Sequence, residues 1–136
     1  MTSGSERVGI KGEFISRAMG VEKVTLTIAA DGTASATTNF IQGEILKIAY
    51  DKGTIAAAET CVIKTSTVLT GTVQEQIDSY NVNSASAYRY PRAQIASGSA
   101  GDNIWTPYVI SDTLSLTVTG SDTDPTHSFY VYIYYR

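Results

Sequence analysis

Phe129-Tyr-Val-Tyr-Ile-Tyr-Tyr-Arg136 interleaves an apolar series with a tyrosine series, and its reading decides the fold. Successive side chains of a strand point to opposite faces, so Phe129, Val131, Ile133 and Tyr135 share one face. Tyr130, Tyr132 and Tyr134 share the other. A strand with water on one side shows a polar face, and this one has none. Either both faces are covered within the fold, or one of them meets another molecule.

Two further segments alternate more conventionally. In Lys23-Val-Thr-Leu-Thr-Ile28 the residues Val24, Leu26 and Ile28 oppose Lys23, Thr25 and Thr27. In Thr113-Leu-Ser-Leu-Thr-Val-Thr119 the residues Leu114, Leu116 and Val118 oppose a Thr/Ser face. Both read as strands with one buried and one wet face. Burying three such side chains is worth about 5–9 kcal/mol, at about 1.5–3 kcal/mol each, which pins the register. Because this fold makes polar outer faces elsewhere, the tyrosines at 130, 132 and 134 are expected to be covered.

Turn signals divide the remainder. Asp31-Gly32 predicts a hairpin with residues 33–38 as the return strand. Residues 44–50 predict a strand with Leu46, Ile48 and Tyr50 on one face. Residues 60–69 are β-branched and bounded by Gly71, and predict a strand whose facing the pattern does not assign. Residues 72–80 read as a strand or, through Gln74-Glu-Gln76, a short helical turn. Residues 86–90 predict an edge segment stopped by Pro91, because proline cannot donate to a central ladder. Residues 95–103 read as a glycine-bearing loop, 105–110 as an edge or bulged strand interrupted by Pro107, and 120–126 as a turn cluster. About eight short strands at intervals of roughly ten residues predict an all-β antiparallel sandwich, jelly-roll-like, spanning residues 21–136. Residues 1–20 hold no sustained period. Val8, Ile10, Phe14 and Ile15 there predict an extended N-terminal arm that orders against a neighbouring subunit.

The composition suits one globular domain: 136 residues, 43% hydrophobic and 17% charged. A net charge of −3 gives no basic stripe, so nucleic acid is not an expected partner. Cys61 is the only cysteine, which leaves no partner for an intrachain disulfide; it reads as a small buried hydrophobe. No apolar run approaches the roughly 20 residues of a membrane helix. Residues 1–7 lack the basic and apolar regions of a secretory signal, so folding in a reducing cytoplasm is expected.

Groups for catalysis are few. His127 is the only histidine. It follows Asp122-Thr-Asp-Pro125, and Ser121 or Ser128 lies close enough in sequence to suggest a Ser/His/Asp site. Ser128 would point to the opposite strand face from His127, which weakens that reading. Asp122 and Asp124 suit calcium as oxygen donors, yet no EF-hand spacing surrounds them, and Asp and Pro are ordinary turn formers. No Cys/His metal spacing, phosphate-binding glycine loop or nucleophile elbow occurs. No enzyme, cofactor or metal is expected.

The aromatics carry the interaction reading. Tyr88, Tyr90, Trp105, Tyr130, Tyr132 and Tyr134, with Arg89 and Arg92 beside them, are the residue types that anchor protein interfaces. Tyr88-Arg-Tyr-Pro-Arg92 would form a compact anchor. The alternative is a carbohydrate- or receptor-binding module in which Trp105 or a row of tyrosines stacks on sugar rings.

Gly43-Glu-Ile-Leu-Lys-Ile-Ala-Tyr50, Tyr90-Pro-Arg92, Ser111-Asp-Thr-Leu-Ser-Leu-Thr-Val118 and Val131-Tyr-Ile-Tyr-Tyr-Arg136 resemble small β-rich virion proteins of tailed bacteriophages. The likeness runs from about Val21 to the end. It implies a sandwich or jelly-roll fold and a structural role, that of a decoration or cement protein on the capsid exterior. The implied partners are the major capsid protein and further copies of the chain, as a dimer or trimer. It implies no catalytic residues.

Overall fold

The computed structural model describes residues 19–95 and 104–136. Among them run eleven strands and no helix: β1 (Gly20–Thr27), β2 (Thr33–Thr37), β3 (Ile41–Asp51), β4 (Glu59–Thr65), β5 (Gln76–Asn81), β6 (Ala87–Arg89), β7 (Ala93–Ile95), β8 (Ile104–Thr106), β9 (Val109–Asp112), β10 (Leu114–Gly120) and β11 (Ser128–Tyr135). One antiparallel sheet has the order β1-β11-β3-β6, with β9 pairing the first residues of β3 on the edge that β6 uses further along. The second has the order β2-β10-β4-β5, and β7 pairs β8 as a separate ribbon. The pairs are nested: β1 with β11, β2 with β10, β3 with β6, β4 with β5.

The protein is an all-β sandwich because both sheets turn their apolar alternation inward. Val24 and Leu26 of β1, Ile48 and Tyr50 of β3, and Phe129, Val131 and Ile133 of β11 form one buried cluster with Cys61 and Ile63 of β4 and Leu114, Leu116 and Val118 of β10. The two alternating segments at 23–28 and 113–119 thus bury the residues expected. Cys61 is a buried free thiol, and burial pushes its pKa up to about 12, so it serves as a small core hydrophobe.

Several elements differ from expectation. The Asp31-Gly32 turn forms, with Ala29 N–H donating to Thr33 O at 2.8 Å and Gly32 at φ +82°. It does not close a hairpin, because β1 and β2 lie in different sheets. The half-buried Ala34 and Ala36 face the core from the opposite side, so the turn carries the chain across the end of the sandwich. On β3, Ile45 takes the core position expected for Leu46. Tyr134 pairs with Lys47 but Tyr135 pairs with Ile45, so Leu46 is the extra residue of a β-bulge, and the inward face resets there. The run from 60 ends at Thr65 and turns, so residues 66–69 leave the strand. Of residues 72–80, the strand β5 takes those from Gln76 on, and residues 72–75 precede it without forming a helical turn. Pro107 splits the expected 105–110 strand into β8 and β9, and Ile95 closes β7 instead of opening a loop. Of the expected arm, residues 1–18, with Val8, Ile10, Phe14 and Ile15, lie outside the described residues.

Candidate functional site

The outer face of the first sheet carries the tyrosines, because β11 spends Phe129, Val131 and Ile133 on the core. Lys23, Tyr132, Ala49 and Tyr88 are successive pairing partners across β1, β11, β3 and β6, so they form one row on that face. The flanking rows are Val21-Tyr134-Lys47 and Thr25-Tyr130-Asp51. Ala49 has no bulk, so Tyr132 and Tyr88 stand on either side of a dip. That dip is an open cavity of about 420 Å³ lined by Ala49, Asp51, Ser86, Tyr88, Tyr132 and Tyr134 among others.

The expected covering of Tyr130, Tyr132 and Tyr134 is partial. All three are half-buried, and part of the cover comes from lysines of the same chain. The Lys23 ammonium lies 5.2 Å from the Tyr130 ring centre and 5.7 Å from that of Tyr132. The Lys47 ammonium lies 4.9 Å from the Tyr88 ring centre and 4.7 Å from that of Tyr134. Such contacts stabilise by about 0.5–1 kcal/mol at exposed sites, while the lysine stems shield ring edges. The hydroxyls of Tyr88, Tyr132 and Tyr134 have no hydrogen-bond partner among the described residues. Asp51 Oδ1 accepts from Gly53 N–H at 3.0 Å, and Ser86 Oγ accepts from Lys52 N–H at 3.0 Å. Residues 88 and 132 were recognisable as aromatic anchors. Lys23, Lys47, Ala49, Asp51 and Ser86 were not, since only the pairing register brings them together.

The other expected anchors divide. Tyr88 is 64% exposed and Trp105, on the β7–β8 ribbon, 57%. Tyr90 is exposed as well. Arg89 points the opposite way from Tyr88 and is engaged inside the chain. Its Nε donates to Asp78 Oδ2 at 2.7 Å and its Nη2 to Oδ1 at 2.9 Å. Tyr50 O–H donates to the same Asp78 Oδ2 at 2.9 Å, and Tyr50 stacks on Tyr80 with ring centres 4.9 Å apart. The guanidinium also lies over Tyr80. Burial, then the Asp78 charge, pushes the Tyr50 hydroxyl well above the usual tyrosine range, and the hydrogen bond to Asp78 raises Arg89. Arg92 donates to Pro91 O and Leu46 O. Both arginines thus have described protein partners.

At another place the loop after β10 gathers Glu59, Asp122, Asp124 and His127. Asp122 Oδ2 accepts from Ala56 N–H, its Oδ1 accepts from Asp124 N–H, and His127 Nδ1 lies 2.8 Å from Oδ2. The Ala56 N–H, ahead of the other donors, lowers the Asp122 pKa to about 2, and the Asp122 carboxylate raises His127. Ser128 Oγ meets Thr27 Oγ1 and Ser121 Oγ reaches Ala58 O, so neither serine is placed on His127. The Asp122 oxygens are filled by protein donors, and among the described residues no His/Cys/Asp/Glu group is arranged to hold a metal. Glu59 is fully buried; its Oε2 accepts from Asp122 N–H at 2.9 Å, while Oε1 has no hydrogen-bond partner among the described residues. Gly120 makes room for it, because a Cβ there would overlap Ala58 O and the Glu59 carboxylate. Desolvation raises the Glu59 pKa.

The sequence reading missed an apolar end. Leu69, Val73 and Val109 line a cavity of about 300 Å³ together with Asp112. Val109 is 68% exposed and Phe40 is 60% exposed. Phe40 precedes Ile41, which pairs with Asp112, so it adjoins the same end. A strand through residue 69 and another from residue 72 would turn alternate side chains inward. Gly71 at φ +83° and Thr72 at φ +67° instead make a tight turn that leaves Val68, Leu69 and Val73 outside. β1 begins nearby, since Glu22 Oε1 accepts from Asn39 N–H at 3.0 Å. No helix among the described residues is long and apolar enough to cross a membrane. Comparison with known proteins finds no matching protein-family model, no matching curated protein and no matching solved structure.

Proposed function

We propose that the chain is a non-enzymatic structural protein of a tailed-bacteriophage virion, which decorates or cements the capsid exterior by binding across junctions of the major capsid protein. The observation that carries this reading is the apolar end formed by Phe40, Leu69, Val73 and Val109. Leu69, Val73 and Val109 line one cavity and Phe40 stands further along the same ladder, and several exposed large apolar side chains at one end mark an interface with another macromolecule. On its sequence alone, the N-terminal arm with Val8, Ile10, Phe14 and Ile15 is a second proposed contact segment. The nested pairing of β1–β11, β2–β10, β3–β6 and β4–β5 supports reading the sandwich as a jelly roll, a fold shared by many shell-forming and lectin domains.

The test is co-sedimentation of the purified protein with capsids of the encoding virus that lack it, followed by electron microscopy of the particles. Regular density at capsomer junctions is expected, with binding reduced at least about tenfold by Phe40→Ser combined with Val109→Thr. Thermal unfolding of the variant checks that it folds. Absence of binding to capsids and of self-association, with particles lacking the protein fully stable, would sink the reading. Undiminished binding of the folded variant would remove the apolar end from it.

A further inference from the structure

We propose that the tyrosine-walled slot on the outer face of the first sheet binds a carboxylate-bearing sugar of a glycan. This goes beyond the docking role, which uses the opposite kind of surface and different residues. The slot has a defined shape. Tyr132 and Tyr88 stand two strands apart with Ala49 between them, so their backbones are about 9–10 Å apart, twice the interstrand spacing. After the thickness of two rings, this leaves room for one saturated six-membered ring. The C–H faces of a pyranose carry slight positive charge and pack on the negative faces of aromatic rings. A planar, fully apolar ligand would leave the polar atoms of the slot wet but unused.

Those polar atoms favour a sugar. The hydroxyls of Tyr88, Tyr132 and Tyr134 border the slot and have no hydrogen-bond partner among the described residues, although the side chains of Tyr132 and Tyr134 are half-buried. Asp51 commits Oδ1 to Gly53 N–H and has Oδ2 for a sugar hydroxyl. Small-ligand sites combine aromatic walls with a few convergent polar groups in this way.

Charge selects among the occupants. Lys47 stands over Tyr88 and Tyr134, and Lys23 over Tyr130 and Tyr132, against the single carboxylate of Asp51. On these rows two ammonium groups face one carboxylate, which suits a carboxylate-bearing ligand over an arginine or lysine of a protein partner; Asp51 lines the slot itself, and the lysines border it through the rings they cover. With only these two ammonium groups on the rows around the slot, the face offers no continuous track for a nucleic-acid backbone. A hexuronic acid fits this set: its ring lies between Tyr132 and Tyr88, and its hydroxyls reach Asp51 and the tyrosine hydroxyls inside the slot. Its carboxylate projects out of the slot, away from Asp51 and toward Lys47 at its border.

The test is titration of the full chain with oligogalacturonate, oligoglucuronate and neutral oligosaccharides of the same length, read by calorimetry and by saturation-transfer NMR. One of the acidic oligomers is expected to bind at least about tenfold more tightly than its neutral counterpart. Tyr132→Ala should weaken that binding about tenfold or more. Ala49→Leu, which fills the slot and leaves every ring in place, should do the same with unchanged thermal unfolding. Lys47→Met should narrow the acid-to-neutral ratio. Three results overturn the proposal: no binding of either acidic oligomer, equal binding of neutral sugars, or acid binding that survives Ala49→Leu and Tyr132→Ala. The last would mean that charge alone attracts the polymer. None of these results bears on capsid docking, which the Phe40 and Val109 variants report separately.

Discussion

Tyr50 and Tyr132 stand on adjacent strands of one sheet and on opposite faces of it, and they are used in opposite ways. Tyr50, 2% exposed, gives its hydroxyl to Asp78, which also holds both prongs of Arg89. Tyr132 lies half-buried under Lys23, and its hydroxyl has no hydrogen-bond partner among the described residues. The difference separates structure from availability. A tyrosine whose polar end is committed inside the chain holds the fold, and one whose polar end is uncommitted is free to meet a ligand.

The sharpest way to break this comparison is truncation of the inner ring. Tyr50→Ala removes a buried aromatic side chain and orphans part of a buried carboxylate, so a loss of about 3–5 kcal/mol is expected in urea unfolding. Tyr50→Phe keeps the packing and should lose only about 1 kcal/mol, the net value of one hydrogen bond. If Tyr50→Ala cost no more than the matching change at Tyr132, the distinction between the two faces would fail.

Arg89→Ala probes the same cluster from its wet side. Breaking a buried ion pair costs about 3–5 kcal/mol, but the Arg89 side chain is 40% exposed and water can reach Asp78 once it is gone. The expected loss is therefore about 2 kcal/mol. A double-mutant cycle with Tyr50→Phe should be non-additive, since both donors serve one carboxylate. Additivity would show that Asp78 does not link them.

Glu59 offers a smaller contrast: among the described residues it is a buried carboxylate with one oxygen unserved, where Asp78 has three donors. Its folded pKa is raised above 4.5, so its favourable contribution is whole below that pH and is lost as pH rises through the raised value. Asp122 shows the reverse sign: its contribution is present above 3.8 and is lost as pH falls toward about 2. His127, with a raised pKa, contributes below 6.5 and loses its contribution as pH climbs past its folded value. Stability should thus peak in mild acid. Glu59→Gln should add about 1 kcal/mol at pH 7 and flatten the decline above pH 4.5. A variant that is less stable than the parent at pH 7 would show that the carboxylate is satisfied after all.

Much of this arrangement could be read from the chain, and the exceptions share a cause. Strict alternation over three apolar residues identified β1 and β10 together with their buried faces, because a one-residue slip would expose the whole set. β11 was legible as a strand, but not which of its two faces the core takes. The bulge at Leu46 was hidden, since Ile45 and Leu46 are both apolar and either satisfies the alternation locally. The Asp31-Gly32 turn was legible, but not which sheet its return strand joins. Likewise Tyr88 and Tyr132 stood out as residue types, while the slot between them depends on Ala49, a residue without any signal of its own. Arg89 looked like Arg92, a surface anchor beside tyrosines, and only the approach of β5 made it a partner of Asp78. Sequence pattern records what each strand does alone; registers and crossings between strands decide the site.

Tyr132→Ala is the smallest expected effect on stability and the most telling. The ring is half-buried, contacts Lys23 through a weak cation–π interaction, and borders open space above Ala49. Losing that contact and part of an outer-face ring should cost about 1 kcal/mol or less, against the several expected at Tyr50. The same substitution removes one wall of the slot, so its effect on acidic-glycan binding should exceed its effect on unfolding. A residue kept for the fold would show the opposite order, losing stability and binding in proportion. Measuring unfolding and glycan titration on one preparation of the variant decides between them. A loss of several kcal/mol there would make the outer tyrosines part of the sandwich's own framework. A near-silent unfolding curve with abolished binding would leave them to recognition.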